Sequence, residues 1–153
     1  MIGMRKMTTD DRTAVLALSV TDDQSRFVEP IAETLSDDAP VRDNFVIEED
    51  GVVVGFFQID GSSGKQKIRD SLELQEVAVD ARHQGKGYGK AFVLALRTFL
   101  RKEYPEWRSV CLTVNYKNRA AYRLYELGGF VDTGQTHLEG RSGPQHIMHL
   151  AFT

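Results

Sequence analysis

Gln84-Gly85-Lys86-Gly87-Tyr88-Gly89-Lys90-Ala91 is a stretch suited to holding an anion. It follows an apolar run, Leu74 to Val79, and precedes an amphipathic helical pattern. Glycines at a strand-to-helix turn let backbone N–H groups approach a ligand without Cβ obstruction. The helix that begins there adds the positive end of its dipole, so phosphate is the anion such a turn favours. Two familiar phosphate loops fail on spacing. A Walker A loop requires glycine five residues before Gly89 and Ser or Thr after Lys90, where this chain has Gln84 and Ala91. A GxGxxG dinucleotide fingerprint started at Gly85 ends on Lys90, and one started at Gly87 ends on Phe92.

What remains is Gln84-x-x-Gly87-x-Gly89, and it has a counterpart downstream. Asn118-Arg119-Ala120-Ala121-Tyr122-Arg123-Leu124-Tyr125-Glu126 runs into Gly128-Gly129-Phe130, beginning 34 positions after Gln84. The first block resembles the (Q/R)xxGx(G/A) acetyl-coenzyme A signature of the GCN5-related N-acetyltransferase (GNAT) superfamily. The second is similar to that superfamily's NxxAxxLYE…GF segment, matched at Asn118, Ala121, Leu124, Tyr125 and Phe130. The resemblance implies an α/β (α+β) fold, with a mixed, strongly bent sheet of six or seven strands and about four helices. It also implies a splay between the fourth and fifth strands that receives acetyl-coenzyme A. It carries over coenzyme contacts to the main chain of Val77 and Val79, to Gln84, Gly85, Lys86, Gly87, Gly89 and Lys90, and to Asn118. Arg82 is a further candidate for outer phosphates, and a homodimer is common in the superfamily.

The chemistry so implied needs a base and an acid. An alkyl amine titrates near 10.4, so freeing its lone pair at pH 7 costs about 4.6 kcal/mol. Glu76, in the middle of an otherwise apolar strand beside the expected acetyl site, is the candidate base, acting directly or through water. A tyrosine hydroxyl stays protonated near neutrality and can donate to a departing thiolate. Tyr125 matches the superfamily's general-acid tyrosine, and Tyr122 beside it reads as packing. Transfer would be direct, within a ternary complex. The alternatives are a coenzyme-binding sensor that no longer transfers, and an enzyme acting on protein or peptide amines.

The acceptor is the least legible part. Gln24-Ser25-Arg26-Phe27-Val28 is similar to a Gln-x-x-Phe-Val stretch in the bacterial diamine and polyamine acetyltransferases. Residues 1–50 carry 12 acidic and 5 basic side chains, while the rest carries 10 and 14. That division suits a cationic acceptor on one side and coenzyme phosphates on the other. Glu29, Glu33, Asp37 and Asp38 are the carboxylates available to a polyamine.

The elements that position these groups can be read from pattern. Thr8-Thr9-Asp10-Asp11 has the form of a capped helix start before Ala14 to Leu18, and a second short helix is expected over Gln24 to Leu35. Asn44 to Glu48 and Val52 to Ile59 flank an Asp50-Gly51 turn, a hairpin signal. Leu72 and Leu74 place the apolar face on even positions, whereas Val77 and Val79 place it on odd ones. A β-bulge near Glu76 would shift the phase, and a strand covered on both faces would hide it; both readings stand at this point. Phe92, Ala95, Leu96, Phe99 and Leu100 form one stripe of the helix after the glycine turn, with Lys90, Arg97 and Arg101 opposite and Pro105 ending it. Phe130 to Leu138 and His146 to Phe152 are the closing strands.

Composition sets the boundaries. A chain of 153 residues is read as one acetyltransferase domain over 1–153. No 18-residue apolar run or signal-peptide core occurs, and no dense basic cluster, so membrane and nucleic-acid partners are not expected. The single cysteine, Cys111, sits in an apolar strand as a small buried hydrophobe and suits a reducing cytoplasm. His83, His137, His146 and His149 show no ligand spacing, so no metal is expected; His146 is also a candidate for acceptor contact.

Overall fold

The computed structural model describes residues 1–19, 30–83, 87–138 and 143–153. Seven strands form one sheet: β1 (Ile2–Lys6), β2 (Asp43–Glu49), β3 (Val52–Asp60), β4 (Leu72–Val79), β5 (Ser109–Asn115), β6 (Val131–His137) and β7 (Gln145–Ala151). Their order is β1-β2-β3-β4-β5-β7-β6, antiparallel throughout except for β4 beside β5. Four α-helices accompany them among the described residues: α1 (Arg12–Leu16), α2 (Ile31–Thr34), α3 (Tyr88–Glu103) and α4 (Arg119–Leu127).

Local chemistry explains most boundaries. The Asp11 carboxylate accepts from the Thr8 backbone N–H and hydroxyl at 2.7 and 3.0 Å, closing the turn that leads into α1. Arg5 then grips Asp11 at 2.7 Å and Glu48 at 3.2 Å, tying β1 to that turn and to β2. Asp50 and Gly51 both have positive φ, 50° and 82°, the geometry of a two-residue hairpin turn whose twist matches the strands it joins. α3 ends at Glu103, because Tyr104 precedes Pro105 and is kept out of the helical conformation. β1 is the strand absent from the sequence reading: five residues at the terminus, interrupted by Gly3, carry too short an alternation to register, yet Ile2 and Met4 pack on the core.

The main core lies between the sheet and α3–α4. Phe45 and Phe57 stack at 5.1 Å, Phe92 of α3 meets Phe57 at 5.0 Å, and Leu96, Leu100, Leu112, Met148 and Leu150 fill the space around them. Val93 joins this buried stripe beside the residues the helical period selects, because α4 covers that flank of α3. A smaller cluster, Val15, Leu18, Val46 and Phe56 with Ile31 and Leu35, lies on the opposite face under α1 and α2. The sheet is thus covered on both sides around β2 and β3.

Register decides the ambiguity in β4. Phe57 pairs with Val77 and Ile59 with Leu74, so one β3 residue faces two on β4, Gln75 and Glu76. This is a bulge, and it keeps Leu72, Leu74 and Val77 on the same core face. β4 and β5 share only the pairs Leu72↔Val110 and Glu73↔Cys111. Beyond Glu73 no further pair joins them among the described residues, which is the splay the resemblance implies.

Candidate active site

The bulge places Glu76 at the root of that splay, on the part of β4 that has left β5. Tyr125 approaches it from α4. The hydroxyl is held well above the ordinary tyrosine range, first by burial and then by the negative charge of Glu76. The structure therefore brings together the two residues selected from sequence as base and acid. Phe130 fixes the tyrosine from behind: its ring meets Tyr125 edge-on at 5.5 Å, and its N–H donates to the Tyr125 carbonyl at 3.0 Å.

The glycines of the second motif are there for space and conformation. A Cβ on Gly128 would lie 2.8 Å from both the Cβ and the backbone oxygen of Val93, so only glycine lets the end of α4 rest on α3. Gly129 has φ of 100°, a left-handed turn that sends the chain back into β6.

Asn118 caps α4, its side chain accepting from the Ala121 N–H at 3.3 Å. It is buried at the start of the helix that carries Tyr125, so capping is compatible with the coenzyme contact that the resemblance implies.

In the first motif, Gln84, Gly85 and Lys86 lie outside the described residues. Gly87 is the N-cap of α3 with φ of 78°, and nothing lies within 4 Å of where its Cβ would be. The first helical bond runs from Ala91 N–H to the Gly87 carbonyl at 2.9 Å, so the amides of Gly89 and Lys90 precede the helical ladder and can face an anion. Gly89 also serves packing, since a Cβ there would stand 3.2 Å from a Leu124 methyl; its absence lets α3 approach α4. Lys90 is exposed beside this turn. Val77 and Val79 pair with Phe57 and Gly55 of β3, and their other edge faces the splay. A bound pantetheine arm could add there as a strand would, and this chain's open β4 edge and left-handed Gly87 fit such a ligand.

Other candidates are otherwise engaged. Arg82 pairs with Asp80 at 2.6 Å. His146 offers Nδ1 to Asp132 at 3.1 Å and stacks on Tyr116 at 4.0 Å, while the Tyr122 hydroxyl donates to the same carboxylate at 3.0 Å. This cluster fastens α4 to the β6–β7 hairpin. No sequence signal announced it, since its members are far apart in the chain. Tyr122 is thus both packing and polar. Cys111 is fully buried with its thiol pushed up to about 11 by burial and by Glu73, as suits an inert core position. Glu33, Asp37 and Asp38 are solvent-exposed, and Glu29 with the Gln24–Val28 stretch lies outside the described residues. No group of three or more His, Cys, Asp or Glu is arranged to hold a metal ion among the described residues. No described helix is long and apolar enough to cross a membrane.

Comparison with known proteins agrees with this geometry. The acetyltransferase (GNAT) family pattern matches residues 6–130. The chain is 33% identical over 141 residues to the uncharacterized N-acetyltransferase YbbJ of Bacillus subtilis, covering 87% of this chain and 86% of that one. It is 28% identical over 149 residues to the spermine/spermidine N(1)-acetyltransferase of the same organism, covering 91% and 93%. Among solved structures it is similar to an aminoglycoside N(6')acetyltransferase from Legionella pneumophila, with a TM-score of 0.75 at 13% identity over 99% and 92% of the two chains. The chain belongs to the GNAT family and is an N-acetyltransferase by that membership.

Proposed function

We propose that residues 1–153 form one acetyltransferase domain that moves the acetyl group of acetyl-coenzyme A to a primary amine of a small molecule, by direct attack within a ternary complex. The juxtaposition of Glu76 and Tyr125 at the β4/β5 splay carries this reading. The amine nitrogen attacks the thioester carbonyl carbon, the C–N bond forms, and Glu76 receives the amine proton, directly or through water. The C–S bond then breaks and Tyr125 donates its proton to the departing sulfur, releasing an amide and the coenzyme A thiol. A phenol held above its usual pKa remains protonated at neutral pH and is ready for this step.

For the coenzyme, the groups assigned are the β4 edge at Val77 and Val79, the turn Gln84, Gly85, Lys86, Gly87 and Gly89, the side chain of Lys90, and Asn118. The acceptor is a polyamine or another small cationic amine. The spermine/spermidine acetyltransferase relative and the acidic bias of residues 1–50 support this choice. The lone, buried Cys111 supports a reducing, cytoplasmic setting.

The test is release of coenzyme A thiol from acetyl-coenzyme A across spermidine, spermine, putrescine, an aminoglycoside, lysine and short peptides, with a no-amine control. Turnover with the polyamines is expected. Turnover with another class alone overturns the acceptor assignment and keeps the chemistry. Tight coenzyme binding without turnover anywhere in the panel favours a sensor.

A further inference from the structure

Asp80 follows the last residue of β4 and is wholly buried. Its N–H extends the β3 ladder by donating to the Val54 carbonyl at 2.9 Å. One carboxylate oxygen, Oδ2, takes Nε and Nη2 of Arg82 at 2.9 and 2.6 Å. The other, Oδ1, accepts from the Ser19 N–H and hydroxyl at 3.4 and 3.3 Å and from the Arg82 N–H at 3.3 Å. Ser19 answers with its carbonyl, which receives the Ala81 N–H at 2.5 Å. The same guanidinium extends to the Ala17 carbonyl at 3.5 Å.

Three segments meet at this one carboxylate. They are the end of the strand that carries Glu76, the 3-10 turn Ala81–His83 that leads toward Gly87 and α3, and the chain leaving α1. The first two border the coenzyme side. The third belongs to the layer on the opposite face of the sheet, which holds Val15, Leu18, Val46 and Phe56. A buried carboxylate is expensive unless paired and hydrogen-bonded, and here each of these carboxylate bonds joins two of the segments. Ordinary packing needs only apolar contact at such a corner. A directional, charged junction instead fixes the segments in one relative arrangement, since a satisfied buried network is rigid.

We propose that Asp80 is a positioning residue that couples the coenzyme turn to the end of α1, so that coenzyme binding on one face organises the acceptor side on the other. This rests on the reaction proposed above. A ligand that restrains Ala81–His83 restrains Ser19 through Asp80, and a cationic acceptor held by the acid-rich N-terminal layer that contains α1 then has less ordering left to do. The coupling is reciprocal, with each ligand raising the affinity for the other by the same factor.

The experiment uses the full chain, wild type and Asp80→Asn, with Ser19→Ala as a milder variant should the first fold poorly. Amide hydrogen exchange is followed with and without coenzyme A. In the wild type, coenzyme A slows exchange both at the start of α3 and over residues 12–19. In Asp80→Asn the protection at α3 persists and that over 12–19 is lost; Ser19→Ala loses it in part. A second arm measures KM for spermidine, or for whichever panel amine turns over, at low and saturating acetyl-coenzyme A. The wild type shows coupling of about 5- to 150-fold, and Asp80→Asn approaches no coupling with kcat within a few-fold. A purely structural Asp80 would lower the ligand-free melting temperature and leave both coupling readouts intact, which overturns the inference. Protection confined to α3 in the wild type also overturns it while leaving the proposed reaction standing. Absence of any protection by coenzyme A overturns both.

Discussion

The Glu76 carboxylate on β4 lies close enough to the Tyr125 hydroxyl on α4 for its charge to oppose ionisation of the phenol. Chain order separates these residues by a helix and a strand. The bulge at Gln75–Glu76 and the return of α4 over the splay are what bring them together. The phenol is thereby kept protonated near neutral pH.

Tyr125→Phe removes the proposed proton donor and keeps the ring that meets Phe130. We expect kcat to fall about 10²- to 10⁴-fold, the usual span for general acid catalysis, with acetyl-coenzyme A affinity nearly unchanged. Steady-state rates paired with calorimetric coenzyme titration check this. A comparable loss of affinity would show that the hydroxyl serves binding.

Glu76→Gln removes the proposed proton acceptor. The expected loss in kcat/KM is about 10²- to 10⁴-fold, with residual activity climbing toward pH 10 as the amine loses its own proton. The same change removes one of the two influences that raise the Tyr125 pKa, so the phenol should titrate lower in the variant. Ultraviolet titration of tyrosine reads that shift directly; an unmoved Tyr125 would contradict the proximity of the two groups.

Gly128→Ala and Gly87→Ala separate packing from function. The first forces a methyl group against Val93, where overpacking costs about 1–3 kcal/mol, so the melting temperature should drop by several degrees. The second meets no neighbour but strains a left-handed φ by about 1–2 kcal/mol. It should weaken coenzyme binding more than it weakens the fold. Melting curves with and without coenzyme A distinguish the two.

Acid should unfold the protein by way of Asp11, Asp80 and Asp132. Asp11 is held below the usual carboxylate range chiefly by Arg5, and Asp132 by the Gly134 N–H and then by Tyr122 and His146. Burial pushes Asp80 up, but the hydrogen bonds from Arg82 and Ser19 outweigh it and leave it lowered. A depressed native pKa adds stability that is fully present above the unfolded value near 3.9 and is lost as pH falls through the native one. Melting temperature should be little affected by these groups above about pH 5 and decline below about pH 4. Asp132→Asn should flatten that decline. An unchanged slope would show that Asp132 has no such linkage.

Cys111 should be silent. With its thiol buried and pushed up to about 11, it should react with a disulfide reagent only on unfolding, and Cys111→Ala should leave turnover intact. Rapid labelling of the native protein at pH 8 would contradict the burial.

Features set by local conformation were readable in sequence. The glycine turn, the capped α4 with its Tyr125, the Asp50–Gly51 hairpin and the phase change in β4 each involve neighbours along the chain, where φ preferences and periodicity act directly. Only the folded chain could choose between a bulge and a doubly covered strand, because that choice is a matter of register against β3. Nor could the sequence show that Gly128 answers to Val93, that Asp80 answers to Ser19, or that His146 answers to Asp132. Those relations span long stretches of chain, and side-chain type alone does not encode which distant partner will satisfy a buried charge or fill a shared space. Membership of the acetyltransferase family was therefore legible in short motifs. Which of their residues meet was decided by the sheet order that folds β4, β5 and α4 around one opening.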